Sequence, residues 1–329
     1  MILKKTDFSR NDFNQKLPTK KEKPNRLVVF ILFLGTTALS FFLWLQPKLS
    51  QWRNQLFQPT TYQIIKPVGE SLEEFIGFKP DLKDLAGLKN SINLSLTDLQ
   101  GTYGIYFYEL DKQVNLGIND DQVYIAASVN KLPIMVSFYQ QVEKSKLREE
   151  DEYILEAADV QDYGSGQMRY QPWGTKYQYR ELIELAGKLS DNTAAYVLEN
   201  LVGKKTIQSS LNKLGMVNTS LDDNTTTVKE MGDYLVKLYQ NKLISAKNKE
   251  KIFTALTKTD FEDRITKGVP ENIRVVHKIG NEIQAYNDCG IIFGPKPYIL
   301  CVLTKEVAEA EALAVIPKIS RLVWEYVEK

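Results

Sequence analysis

The chain holds one histidine and two cysteines in 329 residues. That scarcity excludes a zinc ribbon or a histidine-rich metal site built from this chain alone. No resident metal or cofactor is expected. A Ser-His-Asp triad is disfavoured, because only His277 could serve in it. Net charge is as sparse: 42 Lys and Arg stand against 41 Asp and Glu, leaving +1. No global charge therefore points to nucleic acid as a partner. No internal repeat is visible. What is present is an ordinary globular composition, 43% hydrophobic and 25% charged. The length suits one large domain with appendages.

The two cysteines, Cys289 and Cys301, fall in a predicted hairpin. Pairing Phe293 with Tyr298 across Gly294-Pro295-Lys296-Pro297 sets Gly290 opposite Cys301. The two thiols then point to opposite faces of the sheet and stay free. A shift of one residue would reopen the disulfide.

Residues 1–26 are polar and lysine-rich, without periodicity, and read as a disordered basic tail in the cytoplasm. Leu27 to Leu45 carries no charge over nineteen residues, about the length that spans a bilayer core. It is longer than a typical signal core, and no small-x-small site follows before Gln46-Pro47-Lys48. An uncleaved, single-pass anchor in the lipid bilayer is expected, with the basic tail inside and everything after Trp44 outside. Residues 46–79, with Pro47, Pro59 and Pro67, read as a stalk, and residues 80–329 as the domain it carries.

Within 80–329, leucines at spacings of three and four predict an amphipathic helix over 80–98. Residues 102–108 and 114–118 read as two strands around Asp111-Lys112. Helices are predicted over 131–147, 177–203, 206–213 and 229–243. Strands follow over 273–278, 283–293 and 298–304, and a closing helix over 306–327. The layout predicts an α+β domain. An antiparallel sheet is built from both chain ends and packed with helices, and an all-helical lobe is inserted between them. The domain is expected to be monomeric.

Three short motifs carry chemistry. Ser128-Val129-Asn130-Lys131 precedes an apolar stretch, Leu132 to Met135. If Ser128 opens a helix, its hydroxyl and the Lys131 amine lie on one face. Serine needs a base beside it to act as a nucleophile, and a buried lysine can serve, because burial disfavours its charged form. The same spacing also fits a plain helix start, and Ser210-Leu211-Asn212-Lys213 repeats it. Ser190-Asp191-Asn192 follows the helical run 181–189, and His277-Lys278-Ile279-Gly280 closes a strand. Gly280 would let another segment approach that strand closely.

In this order the motifs resemble those of class A β-lactamases and penicillin-binding proteins. From about residue 80 to 329 the chain resembles the class A β-lactamase-like serine hydrolases. Tyr163-Gly164-Ser165-Gly166 resembles the loop lining the pocket in that family, and Asn287-Asp288-Cys289-Gly290 the strand after the lysine motif. The resemblance implies that Ser128 is acylated and that Lys131 takes its proton or tunes whichever group does. Ser190 relays a proton to the leaving amine, with Lys278 beside it. Asn192 orients the substrate amide, and the backbone N–H groups of Ser128 and Asn281, after Gly280, form the oxyanion hole. The implied substrate is a β-lactam or a peptidoglycan-type peptide, and the alternatives are a cell-wall D,D-peptidase or a non-catalytic penicillin-binding sensor. Two departures stand out. The segment Thr219 to Asn224 runs directly into Thr225-Thr226-Thr227, so the family's deacylating glutamate has no counterpart, with Asp222 and Asp223 as short substitutes. Ile279 replaces a hydroxyl residue expected to bind the substrate carboxylate.

Overall fold

The computed structural model describes residues 71–329. The basic tail, the apolar run 27–45 and residues 46–70 of the expected stalk lie outside the described residues. Among the described residues no helix is long and apolar enough to cross a membrane.

Helix α1 (Leu72–Ile76) starts on a capping box in which Ser71 and Glu74 satisfy each other's backbone N–H groups. It falls within the stretch read as stalk, but Ile76 is buried in the core. The packed domain therefore reaches back into that stretch, to Ile76 at least. Helix α2 (Leu85–Ser95) opens on Asp84, whose carboxylate accepts from Gly87 N. Strands β1 (Thr102–Glu109) and β2 (Val114–Ile118) pair as predicted. After the two-residue strand β3 (Tyr124–Ile125), a 3₁₀ turn over Ala127–Asn130 leads directly into α3 (Lys131–Glu143).

The lobe that follows is more broken than its periodicity suggested. The stretch read as one helix over 177–203 is divided. Strand β4 (Glu152–Ile154) pairs with β5 (Lys176–Gln178), then come α4 (Tyr179–Lys188) and, after a turn, α5 (Asn192–Val202). The break is chemical: Ser190 takes a left-handed φ of 51° and Asp191 caps the second helix. Next come α6 (Lys204–Lys213), β6 (Thr225–Thr226), α7 (Val228–Tyr239) and α8 (Ala246–Ala255), the last not anticipated. Strands β7 (Arg274–Glu282), β8 (Ala285–Phe293) and β9 (Tyr298–Lys305) and helix α9 (Glu309–Val327) complete the domain.

The main sheet is antiparallel throughout, in the order β2-β1-β9-β8-β7, so both ends of the domain build it as expected. Central β9 shows why. Tyr298, Leu300 and Val302 enter one core with α2 and α9, while Ile299, Cys301 and Leu303 enter a second core beneath the helical lobe. A strand buried on both faces must sit inside the sheet, and each fully buried aliphatic contributes about 1.5–3 kcal/mol.

The hairpin register corrects the reading of the cysteines. Ile292, not Phe293, pairs with Tyr298, and Cys289 lies directly opposite Cys301. The connecting turn, 293–297, is one residue longer than expected, and the Pro297 carbonyl accepts from Leu110 N at 3.1 Å. The two thiols share a face, and both are buried and free. Burial and the neighbouring sulfur push the Cys289 thiol well above its ordinary range.

Candidate active site

The 3₁₀ turn that presents Ser128 is held from three sides. Ala127 before it has a left-handed φ of 49°, an uncommon backbone state for a residue with a Cβ. Asn287 on β8 donates to the carbonyls of Ile125 at 2.8 Å and Ala126 at 3.2 Å, while its own carbonyl accepts from Thr304 N. On the far side, Ala126 N donates to Asn224 O at 2.8 Å, and the Asn130 amide reaches Ser220 O and Asn224 Oδ1. Strand β7 closes the third side. A Cβ on Gly280 would lie 2.6 Å from Ala126 O and 3.2 Å from Ser128 N. Gly280→Ala must therefore push the nucleophile turn away. We expect acylation of Ser128 to fall by about 10²-fold, the cost of a roughly 1 Å misplacement. Labelling kinetics with a chromogenic acyl donor, beside an unchanged melting transition, would check it. The lysine motif is accordingly in mid-strand, not at a strand end, since β7 runs on to Glu282.

The three motifs converge on one hydroxyl. Ser190 is 1% exposed. Its Oγ accepts from Lys278 Nζ at 2.8 Å and from Lys131 Nζ at 3.2 Å. Lys131 Nζ also donates to Ser190 O and, at 2.7 Å, to Asn192 Oδ1. Lys278 Nζ reaches the carbonyl of Ile279 at 3.1 Å. No hydrogen bond joins the Ser128 hydroxyl to the Lys131 amine in this state, contrary to the direct pairing expected from their spacing. The amine turns instead to the Ser190-Asn192 turn. Burial pulls the Lys131 amine down to about 7, against an opposing pull from Asp191. Lys278 lies well below its ordinary range, through burial first and then through Lys131 and Arg264.

The remaining expected residues form the rim. Asn192 Nδ2 donates to Tyr163 O at 2.9 Å, and Asn192 N to Ser165 O at 3.1 Å. One N–H of the Asn192 amide is left for a ligand. Asp191 anchors the same loop by accepting from Gln167 N at 2.7 Å and Met168 N at 2.8 Å. The Tyr163 side chain is exposed, so only its carbonyl is tied into the site. Asn281 is exposed, and its side chain accepts from Arg264 Nη2 at 2.5 Å. Sequence reasoning missed Arg264, a fully buried guanidinium that also donates to Asn287 O. No motif surrounds it, and only its packing beside β7 and β8 reveals it. Ile279 is 2% exposed and, by strand alternation, faces away from Lys278.

The loop between the motifs is a four-residue turn. Ser220 and Thr225 exchange two backbone hydrogen bonds of 3.0 Å across it. Asp222 is exposed and pairs with Lys204 at 3.2 Å, and Asp223 accepts from Ser220 Oγ at 2.8 Å. Neither carboxylate bonds to the Ser128 cluster. Ser210 and Lys213 lie on α6, and neither bonds to any member of the cluster.

Behind Lys278, His277 is fully buried between Asp288 at 2.9 Å and Glu262 at 3.2 Å. Burial alone would lower its pKa, but the two carboxylates outweigh burial and raise it to about 9. A raised base stabilises the fold fully below its unfolded value, about 6.5, and that stability is lost as pH rises through 9. We expect the unfolding free energy to fall between pH 6.5 and 9 by on the order of 3 kcal/mol, and the melting temperature to fall with it. His277→Gln should flatten that slope.

Among the described residues no cluster of His, Cys, Asp and Glu is disposed to hold a metal ion. Residues 87–327 match the model of the beta-lactamase enzyme family. The chain is similar to beta-lactamase VEB-1 of Pseudomonas aeruginosa, at 24% identity over 253 residues, covering 68% of this chain and 84% of that one. Among solved structures it is similar to PBP-A, with a TM-score of 0.70 at 24% identity over 74% of this chain and 97% of that one. It is also similar to a PBP-A mutant held as an acyl-enzyme complex with penicillin G, with a TM-score of 0.69 at 23% identity, covering 76% and 99% of the two chains.

Proposed function

The chain belongs to the beta-lactamase enzyme family and is a serine hydrolase of the class A type, and on that premise we propose that β-lactams or cell-wall peptides acylate Ser128 and that the resulting ester clears slowly. The observation that carries this reading is the Ser190 hydroxyl, set between the Lys131 and Lys278 amines beside the nucleophile turn. Ser128 Oγ attacks the substrate carbonyl and gives its proton to neutral Lys131. The bond to the leaving nitrogen breaks, and that nitrogen takes a proton from Ser190 Oγ, which Lys131 replenishes. The Ser128-Lys131 hydrogen bond forms once substrate displaces the amine from Asn192, as catalytic contacts often tighten only in the complex. The Arg264 guanidinium, held to Asn281 beside the site, adds positive charge for a substrate carboxylate, which offsets the hydroxyl missing at Ile279. Asn192 presents its spare N–H to the substrate amide.

The slow clearance rests on the four-residue turn at 221–224. Its two carboxylates are engaged outside the site, which supports the reading that neither activates a water on the ester. The charge-free run Leu27 to Leu45 behind a basic tail supports a single-pass anchor with the catalytic domain outside the cell.

One experiment tests chemistry and location together. Spheroplasts are labelled with a fluorescent penicillin and then exposed to protease. A covalently labelled band in the membrane fraction, removed by external protease, is expected. An unlabelled protein would support a non-catalytic binding module, and a protected or freely secreted band would contradict the topology.

A further inference from the structure

The second Ser-x-x-Lys, which catalysis leaves unused, lines a separate cleft. A cavity of about 670 Å³ lies between α3 and α6. Such a volume lies within the range of small-molecule sites. Helix α3 faces it with Ser137, Gln140, Gln141 and Lys144, at spacings of three and four. Helix α6 faces it with Lys205, Thr206, Ser209, Ser210 and Lys213 at the same period. Two packed helices would ordinarily bury apolar stripes against each other. Here both facing stripes are polar.

Two of these residues are nine-tenths or more buried, and their side-chain polar atoms open onto the cleft. Ser137 is 3% and Gln141 7% exposed, and neither side chain makes a hydrogen bond within the described residues. Their hydroxyl and amide groups are therefore available to water or to a ligand in the cleft. Lys144, Lys205 and Lys213 are exposed at the rim and have no ion-pair partner within the described residues. The one opposing charge, Glu143, is held by Ser245 N at 2.8 Å and Asn248 Nδ2 at 2.9 Å, which draw its carboxyl down against the effect of burial. The cleft thus carries three ammonium groups against one carboxylate that is already engaged.

We propose that this cleft binds a phosphate-bearing ligand, with Lys144, Lys205 and Lys213 on its charges and the Ser137 hydroxyl and Gln141 amide at its floor. Phosphate fits the donor set better than carboxylate. Lysines act as point charges on phosphate, whereas planar carboxylates favour the arginine fork, which this cleft lacks.

The test is calorimetric titration of the full-length protein in detergent at low ionic strength with inorganic pyrophosphate. One saturable site is expected, weakened roughly tenfold or more in the double variant Lys205→Gln/Lys213→Gln and by added salt. Gln141→Leu should weaken it too. The lysine variants are at exposed positions, so an unchanged melting transition isolates the effect from folding. Long-chain polyphosphate, titrated separately, distinguishes a polymer from a small ligand: tighter binding with the same variant sensitivity indicates a polymer, and equal binding a small ligand. Absence of saturable binding, equal affinity in the lysine variants, or tighter binding of citrate than of pyrophosphate would overturn the proposal. None of these readouts depends on acylation of Ser128.

Discussion

Lys131→Ala is expected to slow penicillin acylation of Ser128 by about 10²–10⁴-fold, the usual contribution of a positioned general base. The reason lies in burial. Lys131 is 7% exposed, under Leu132 and Met135, and its amine is drawn down to about 7. Near neutral pH a large fraction is therefore uncharged and able to take a proton, which an exposed lysine could not offer. The sign of the pH dependence follows. Below 7 the amine is protonated and cannot accept, so acylation should rise with pH through about 7 and level above it. Lys131→Arg keeps a cation in place but cannot lose its proton. It should not restore the rate, which separates a base from a mere positive charge. Stopped-flow acylation across pH 5 to 9, with melting curves for each variant, measures both. A rate unaffected by Lys131→Ala would place the base elsewhere.

Turnover of a chromogenic cephalosporin is expected to show a burst of one product per enzyme followed by a slow steady state. Acylation has its groups in place. Deacylation needs a water activated from the far side of the ester. The turn at 221–224 points Asp222 at Lys204 and Asp223 at Ser220 Oγ, so neither carboxylate is placed to serve as that base. Losing a general base again costs about 10²–10⁴-fold, now on the second step alone. The steady state should therefore lag the burst by this factor. Fast linear turnover without a burst would mean that another group activates the water.

The sequence disclosed the chemistry more readily than the geometry. Ser128, Lys131, Ser190, Asn192 and Lys278 fall within short local motifs, and the family resemblance those motifs carry implied that they share one site. How they meet could not be read from the motifs. Lys131 turns to the Ser190 turn rather than to Ser128, and Ser190 there adopts a left-handed backbone. No propensity rule assigns that conformation to a serine. Arg264 has no local pattern at all, because its partners Asn281 and Asn287 are 17 and 23 residues away. The sheet was legible from its apolar strands at the two ends of the domain. The β8-β9 register was not, since a four-residue turn (294–297) and a five-residue turn (293–297) fit the same apolar strands. That slip reversed the inferred faces of Cys289 and Cys301. The polar stripes on α3 and α6 were present in the sequence as well, but only their packing across a cleft gives them meaning.

The most direct measurement is peptide mapping by mass spectrometry after exposure to penicillin. The account predicts one added penicilloyl mass, carried by the peptide containing Ser128, absent in Ser128→Ala, and persisting after excess drug is removed. A label on Ser210 or elsewhere, or equal labelling of Ser128→Ala, would contradict the assignment of the nucleophile.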